Sequence, residues 1–296
     1  MREKLLDATA RGLRREPKEL PVAWLYDECG SRLYEEITRL PEYYLPSREA
    51  EILQARAAEI AATGARTLIE LGSGTGTNTR LLLDALADTL ERFIPLDASE
   101  PALRSGAAAI ALDYPRLLVE PVVGDFEHDL ASLPPGLIGF LGSTVGNLYP
   151  EARRHFFTQI EGPLLLSLDL VKDEARLEVA YNDPGGVTEA FARNALTAAN
   201  RELGASFDQE LLSYEARWDP AHEWMDIGFR ALVAQVIPVS GLGMELELDA
   251  GEHLRIEVST KFRRDRIEPE LRETGLRLES WWTDSANDFA VAMVLR

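Results

Sequence analysis

The sequence predicts an α/β fold built on a largely parallel sheet, interrupted by a second region of α+β character. Three observations carry that prediction. From Arg66 onward, short apolar runs alternate with helical patterns, the rhythm of strands joined by crossover helices. A glycine-rich turn, Glu70-Leu71-Gly72-Ser73-Gly74-Thr75-Gly76, stands where the first apolar run passes into a helix. The rhythm then breaks near Lys172 and resumes after Lys261.

Taken in order, the predicted strands are 67–71, 93–96, 118–123, 137–141 and 164–168. Between the first two, Leu81, Leu82, Leu83, Leu86 and Leu90 supply an apolar helical face. After Pro150, the order Glu151-Ala152-Arg153-Arg154 places acid before base, as a helix macrodipole favours. Residues 173–260 begin with a helical stretch through Asn200 and continue with longer strand-like segments at 228–239 and 244–248. After Lys261 come a charged helix and two strands, 276–282 and 289–295. The link between them, Thr283-Asp284-Ser285-Ala286-Asn287, is rich in turn formers and predicts an antiparallel hairpin. The expected organisation is a Rossmann-like domain of residues 47–172 and 261–296. Residues 1–46 and 173–260 form the second domain.

Hydrophobic residues make up 46% of the 296-residue chain and charged residues 27%, so a buried core is expected and disorder is not. The 50 acidic residues outnumber 31 basic ones, for a formal charge of −19. That balance argues against wrapping nucleic acid, which needs a dense basic face. Cys29 is the single cysteine and suits a reducing cytoplasm. No apolar run approaches the ~20 residues of a membrane span, and Met1-Arg2-Glu3-Lys4 does not open a signal peptide. The expectation is a soluble cytoplasmic protein with a small-molecule partner and no membrane partner. Its oligomeric state is left open, with a monomer as the default. His128, His155, His222 and His253 are scattered without ligand spacing, so no metal is expected. Trp281 and Trp282 are expected to be core at a strand end, and Lys261, Arg263, Arg264 and Arg266 a solvated helix start.

The glycine turn has the spacing G-x-G-x-G, not the dinucleotide fingerprint G-x-G-x-x-G. Glycines there let backbone approach a ligand, and the following helix offers unpaired N–H groups. Asp97 ends the second strand, where a carboxylate can accept from both ribose hydroxyls. Asp125 and Phe126 end the third, an acid for an exocyclic amine beside a ring for an adenine. Three such sites on three successive strand ends point to a nucleoside cofactor. The candidate cofactor residues are Gly72, Gly74, Gly76, Asn78, Asp97, Asp125 and Phe126.

Further motifs are more specific: Tyr26-Asp27-Glu28-Cys29-Gly30-Ser31, Arg39-Leu40-Pro41-Glu42-Tyr43-Tyr44, Gly142-Ser143-Thr144-Val145-Gly146-Asn147-Leu148, Asp169-Leu170-Val171-Lys172-Asp173, Tyr181-Asn182-Asp183 and Ile256-Glu257-Val258-Ser259. With these, nearly the whole chain resembles the histidine-specific Nα-methyltransferases of ergothioneine biosynthesis. The resemblance implies a class I methyltransferase fold, whose sheet commonly ends in a hairpin, and S-adenosyl-L-methionine as cofactor. It implies trimethylation of the α-amine of L-histidine to hercynine. On the matching positions, Gly142 and Asn147 line the substrate site, with Asn147 on the amino group. Tyr26 and Tyr181 hold the carboxylate, Tyr43 lies near the reacting amine, and Glu257 and Ser259 bind the imidazole. Tyr43 and Asn147 are thus the candidate catalytic residues. The chain departs from the family pattern at Asn78, where a lysine is expected, at Tyr34, where a phenylalanine is expected, and around Met225-Asp226-Ile227.

The residue types suit that chemistry independently. Glu257 and Ser259 alternate along a strand and share a face, so a carboxylate and a hydroxyl can meet the two imidazole nitrogens. Spacing alone favours a solvated face paired with Arg255 and Lys261; the resemblance reverses that preference. Rival readings are a methyltransferase of this fold acting on another amino acid or small amine, a non-catalytic cofactor-binding regulator, and a nicotinamide-dependent oxidoreductase. The glycine spacing disfavours the last.

Overall fold

A computed structural model describes residues 2–74 and 78–296, which leaves Thr75, Gly76 and Thr77 of the glycine turn outside the described residues. The chain forms two compact units. One, the α/β unit, comprises Tyr44–Lys172 and Thr260–Arg296; the other, the α+β unit, comprises Met1–Tyr43 and Asp173–Ser259.

The sheet of the α/β unit runs, in spatial order, Arg277–Thr283, Phe289–Leu295, Leu164–Asp169, Leu137–Phe140, Thr67–Leu71, Arg92–Asp97 and Leu118–Val119. The strands from Leu164–Asp169 to Leu118–Val119 pair in parallel. Phe289–Leu295 is antiparallel to both of its neighbours. All six residues of Leu164–Asp169 are buried, which is why its leucines fall on both faces rather than alternating with polar residues. Burial of each such leucine contributes roughly 1.5–3 kcal/mol relative to exposure. Helix Pro150–Thr158 starts with proline in its first turn and Glu151 beside it, then delivers Phe156 and Phe157 to a core that includes Phe140 and Leu166. The chain leaves Thr67–Leu71 toward Arg92–Asp97 on one side and later returns to Leu137–Phe140 on the other. The switch point of the sheet therefore lies beside Thr67–Leu71, and the segments after its two flanking strands begin at Gly72 and Leu141. Ligands of open α/β sheets bind outside the strand ends at such a point.

The α+β unit has a four-stranded sheet in the order Lys18–Glu19, His253–Thr260, Trp224–Ala231, Leu212–Asp219. A separate hairpin pairs Gln235–Val239 with Met244–Leu248. Helix Glu28–Ile37 is capped by Asp27, which accepts the Gly30 N–H at 2.8 Å. Gly30 is required by close approach: a Cβ there would stand 1.6 Å from the Leu25 carbonyl oxygen.

Four expectations need correction. The strand expected over 118–123 is split into Leu118–Val119 and Val122–Val123, because Pro121 has no N–H to continue the ladder. The segment 228–239 divides between two sheets. Ala231 and Leu232 turn their N–H groups to Glu252 and Leu211, ending the first strand. The basic cluster is not uniformly solvated: Arg263, Arg264 and Arg266 are exposed, but Lys261 is fully buried and paired with Asp169 at 2.8 Å. Trp281 and Trp282 are half-buried rather than core, with Trp281 packed against the edge of the hydrophobic cluster. Among the described residues, no helix is long and apolar enough to cross a membrane, and no group of His, Cys, Asp and Glu could hold a metal ion.

Candidate active site

In the α/β unit the glycine turn is held by its neighbours. Gly72 and Gly74 have positive φ, +65° and +48°, and a Cβ at Gly74 would meet nothing within 4 Å. The Gly72 N–H reaches the Leu96 carbonyl at 2.8 Å, and the Gly74 N–H reaches Asp97 Oδ2 at 2.9 Å. Asp97 Oδ1 accepts from the Ser99 N–H at 2.8 Å. A carboxylate has about four lone-pair positions, so Asp97 retains capacity for ribose hydroxyls. Burial raises its pKa, and the backbone N–H groups of Ser99 and Gly74 oppose the shift.

The start of helix Thr79–Ala85 is fixed by two buried acids. Thr79 Oγ1 donates to Glu70 at 2.7 and 2.8 Å, and the Asn78 amide donates to Glu49 Oε2 at 2.7 Å and to the Pro46 carbonyl at 3.1 Å. Burial pushes Glu70 up to about 8, with Glu49 and Asp97 adding to the rise. Asp125 lies in a tight turn, accepting from the Glu127 N–H at 2.9 Å and paired with His128 Nδ1 at 2.9 Å. The Phe126 ring rests against Phe140, 5.0 Å between centroids, with one side in the core.

The segment after Leu137–Phe140 is equally constrained. Gly142 has φ +68° and donates its N–H to Glu49 Oε1 at 2.7 Å. Ser143 is buried with φ +57°, a strained choice for a residue with a Cβ. Its Oγ accepts the Asp169 N–H at 2.9 Å, which ties the turn to the neighbouring strand. Gly146 packs so closely that a Cβ would lie 2.8 Å from the Thr260 carbonyl oxygen. Asn147 closes this 3-10 turn, Thr144–Asn147, and is half-buried. Asp169 itself is wholly buried. It accepts from Tyr44 OH at 2.9 Å and pairs with Lys261 and Lys172; these two cations hold its pKa low against the effect of burial.

The α+β unit gathers the tyrosines. Tyr26 meets Tyr34 and Phe191 edge-on, at 5.9 and 5.4 Å between centroids, and Tyr43 meets Tyr34 and Tyr181 at 6.5 and 6.0 Å. Tyr181 OH and Ser259 Oγ share a hydrogen bond of 3.0 Å. The motif Tyr181-Asn182-Asp183 divides three tasks. Tyr181 presents its hydroxyl, Asn182 ties to the Ala216 carbonyl at 2.9 Å, and Asp183 accepts the Val187 and Thr188 N–H groups that open helix Val187–Leu203. Tyr214 OH donates to the Tyr181 carbonyl at 2.7 Å. Burial drives the phenols of Tyr43 and Tyr214 well above their ordinary pKa, and the negative charge of Glu257 adds to both. Arg255 and Lys261 are engaged by Asp226 and Asp169 respectively.

The structure thus brings Tyr26, Tyr43, Tyr181, Glu257 and Ser259 onto the α+β unit. It places Gly142 and Asn147 on the α/β unit with Gly72, Gly74, Asn78, Asp97, Asp125 and Phe126. Sequence reasoning missed Tyr214, Phe191 and Glu49. Glu49 had a local signal: Leu45, Glu49, Ile52 and Leu53 repeat at helical spacing, which puts the acid on an otherwise apolar face.

Comparison with known proteins agrees with this arrangement of elements. A family model described as histidine-specific methyltransferase, SAM-dependent, matches residues 5–296. The histidine N-alpha-methyltransferase of Mycolicibacterium smegmatis is 46% identical over an alignment covering 98% of this chain and 97% of that protein. That of Mycobacterium tuberculosis is 47% identical, covering 96% and 92%. Among solved structures, an S-adenosylmethionine-dependent methyltransferase from Clostridium acetobutylicum has the same fold. It is 11% identical, covers 90% of this chain and 99% of its own, and superposes with a TM-score of 0.51. The chain is a member of the histidine-specific, S-adenosylmethionine-dependent methyltransferase family.

Proposed function

We propose that the protein trimethylates the α-amine of L-histidine to give hercynine in the cytoplasm, where Cys29 stays a thiol. The observation that carries this reading is the 3.0 Å hydrogen bond between the Tyr181 hydroxyl and Ser259, whose strand also bears Glu257, a charge felt by Tyr43 and Tyr214. A hydroxyl and a carboxylate two residues apart on one strand are the groups an imidazole needs, and the surrounding phenols offer O–H donors to a substrate carboxylate. In this reading Glu257 and Ser259 hold the amino acid's side chain, Tyr26 and Tyr181 its carboxylate, and Asn147 its amine. The glycine turn and Asp97 hold the cofactor.

The described residues of the glycine turn fit S-adenosylmethionine. Open space stands where a Cβ of Gly74 would be, and Asp97 lies at the adjoining strand end with acceptor capacity left. Bound there, the cofactor supplies an electrophilic methyl group. The protein's task is then to hold an uncharged amine in line, and positioning of this kind lowers a barrier by up to ~7–11 kcal/mol. Asn147 suits that task because an amide, unlike a carboxylate, does not favour the ammonium form. Tyr43 acts as a hydrogen-bond donor. Its phenolate is not available near neutral pH, since burial and the Glu257 charge both favour the protonated phenol.

Mass spectrometry of the purified protein with S-adenosylmethionine and all twenty amino acids tests the proposal. A gain of three methyl groups on histidine alone is expected. Methylation of a different amino acid would overturn the assigned role of Glu257 and Ser259 while leaving the reaction class intact.

A further inference from the structure

Glu49 has no part in the roles assigned so far. It is 2% exposed, on the buried face of helix Leu45–Ala55. Its two oxygens go to different places. Oε1 accepts the backbone N–H of Gly142 at 2.7 Å, and Oε2 accepts the side-chain amide of Asn78 at 2.7 Å. Gly142 opens the turn that ends at Asn147, while Asn78 stands immediately before helix Thr79–Ala85. Both segments belong to the α/β unit and flank its switch point.

A buried carboxylate is costly unless its geometry does something an aliphatic side chain could not. Here both partners are neutral N–H donors, so the charge is not there to neutralise a cation from either. What the carboxylate supplies is two acceptors at a fixed separation on a rigid helix. Gly142 needs such an acceptor because its N–H lies past the end of the strand Leu137–Phe140, and its left-handed backbone, φ +68°, begins the turn there. Asn78 gains from it a second anchor at the helix entrance, beside the Pro46 carbonyl that its amide also meets at 3.1 Å. At the other side of that entrance, Glu70 does the corresponding work for Thr79.

We propose that Glu49 is a positioning residue shared by the two ligands, holding Asn78 for the methionyl end of the cofactor and the Gly142–Asn147 turn for the substrate amine. This rests on the reading of Asn78 as a cofactor residue and of Asn147 as the amine-binding residue. One carboxylate then sets both binding constants, and neither ligand contacts it.

The test uses the full chain in three variants, with two readouts. Calorimetric titration of S-adenosylhomocysteine without amino acid reads the cofactor side, and the KM for histidine at saturating S-adenosylmethionine reads the substrate side. Glu49→Ala should weaken both by roughly 10-fold or more, the range for losing hydrogen bonds to a charged group. Glu49→Gln should recover most of both, since its carbonyl can accept from Gly142 and its amide can pair with a turned Asn78. Asn78→Ala should weaken the cofactor alone and leave the histidine KM within about twofold. A purely structural role would not produce that asymmetry. If Glu49→Ala does not fold, Glu49→Asp carries the same question, because one methylene less withdraws the carboxylate from its partners. Loss on one side only in the Glu49 variants, or an Asn78→Ala histidine KM as high as that of Glu49→Ala, would overturn the proposal. Wild-type protein that binds S-adenosylhomocysteine but leaves histidine unmethylated would overturn the function reading, and with it the histidine half of this one.

Discussion

The two units put their buried polar groups to different uses. In the α/β unit Asp169 is charged and compensated between Lys172 and Lys261, and the buried carboxyl groups of Glu49, Glu70 and Asp97 each hold a segment of backbone or a side chain in place. In the α+β unit, buried charges such as the Arg255–Asp226 pair and Asp183 serve the frame. The groups proposed to meet the substrate are the hydroxyls of Tyr43, Tyr181, Tyr214 and Ser259, with Glu257 as their carboxylate. The contrast matches what each is proposed to hold. A cofactor bound through backbone needs a turn that cannot relax, and buried carboxyl groups that accept from the turn hold it. An amino acid with a neutral or protonated side chain needs donors and acceptors that do not themselves demand a counter-ion.

That contrast is open to attack, beginning where the effect is largest. Asp169→Asn leaves two lysines without their anion and should cost about 3–5 kcal/mol of stability, read from urea unfolding. A variant as stable as the parent would mean that the ion pairs do not hold the unit together. Next, Glu257→Gln should lower kcat/KM for histidine by roughly 10–150-fold, the worth of a hydrogen bond to a charged group, with little change in melting temperature. Were stability lost instead, Glu257 would belong with the structural acids of the other unit.

A smaller effect concerns Glu70. Its pKa is about 8 in the folded chain against an ordinary 4.5. Between those values the folded state holds the extra proton, so stability is fullest below about 4.5 and declines as pH rises to about 8. Glu70→Gln should flatten that decline, by several degrees in the midpoint when scans at pH 5 and pH 8 are compared. Parallel declines in the two proteins would show that another group titrates. Smallest of all, Tyr43→Phe should reduce kcat by less than about 10-fold and leave the shape of its pH profile unchanged, as expected for a donor that does not ionise. Disappearance of one limb of that profile would restore Tyr43 as a base.

Much of the fold could be read from local pattern because its central strands are buried on both faces. Phe289–Leu295 is apolar throughout and Leu164–Asp169 carries four leucines in six residues, and the hairpin between the last two strands announces itself in Asp284 and Asn287. Asp284 accepts the N–H groups of Asp288 and Phe289 at 2.7 and 2.8 Å. The sequence is less informative about buried charge. Lys261 sits among arginines that are all exposed, and nothing near it signals that its partner is Asp169, far back in the chain. Tyr214 is similar: its partner is a backbone carbonyl at Tyr181, which no side-chain pattern can announce. Glu49 was within reach of periodicity, but its two partners were not.

The position of Phe289–Leu295 has a consequence for how the protein is made. The strand is inserted between Arg277–Thr283 and Leu164–Asp169, not added at an edge. During synthesis at ~5–20 residues per second, Leu164–Asp169 must wait on the order of ten seconds for the neighbour that covers its free side. Throughout that interval a leucine-rich strand edge is open to pairing with any other chain. The α+β unit needs nothing beyond Ser259 and can close first. The ribosome therefore delivers the unit proposed to hold the amino acid before the one proposed to hold the methyl donor. A chaperone that meets this nascent chain has its binding site defined in advance, at the unpaired edge of Leu164–Asp169.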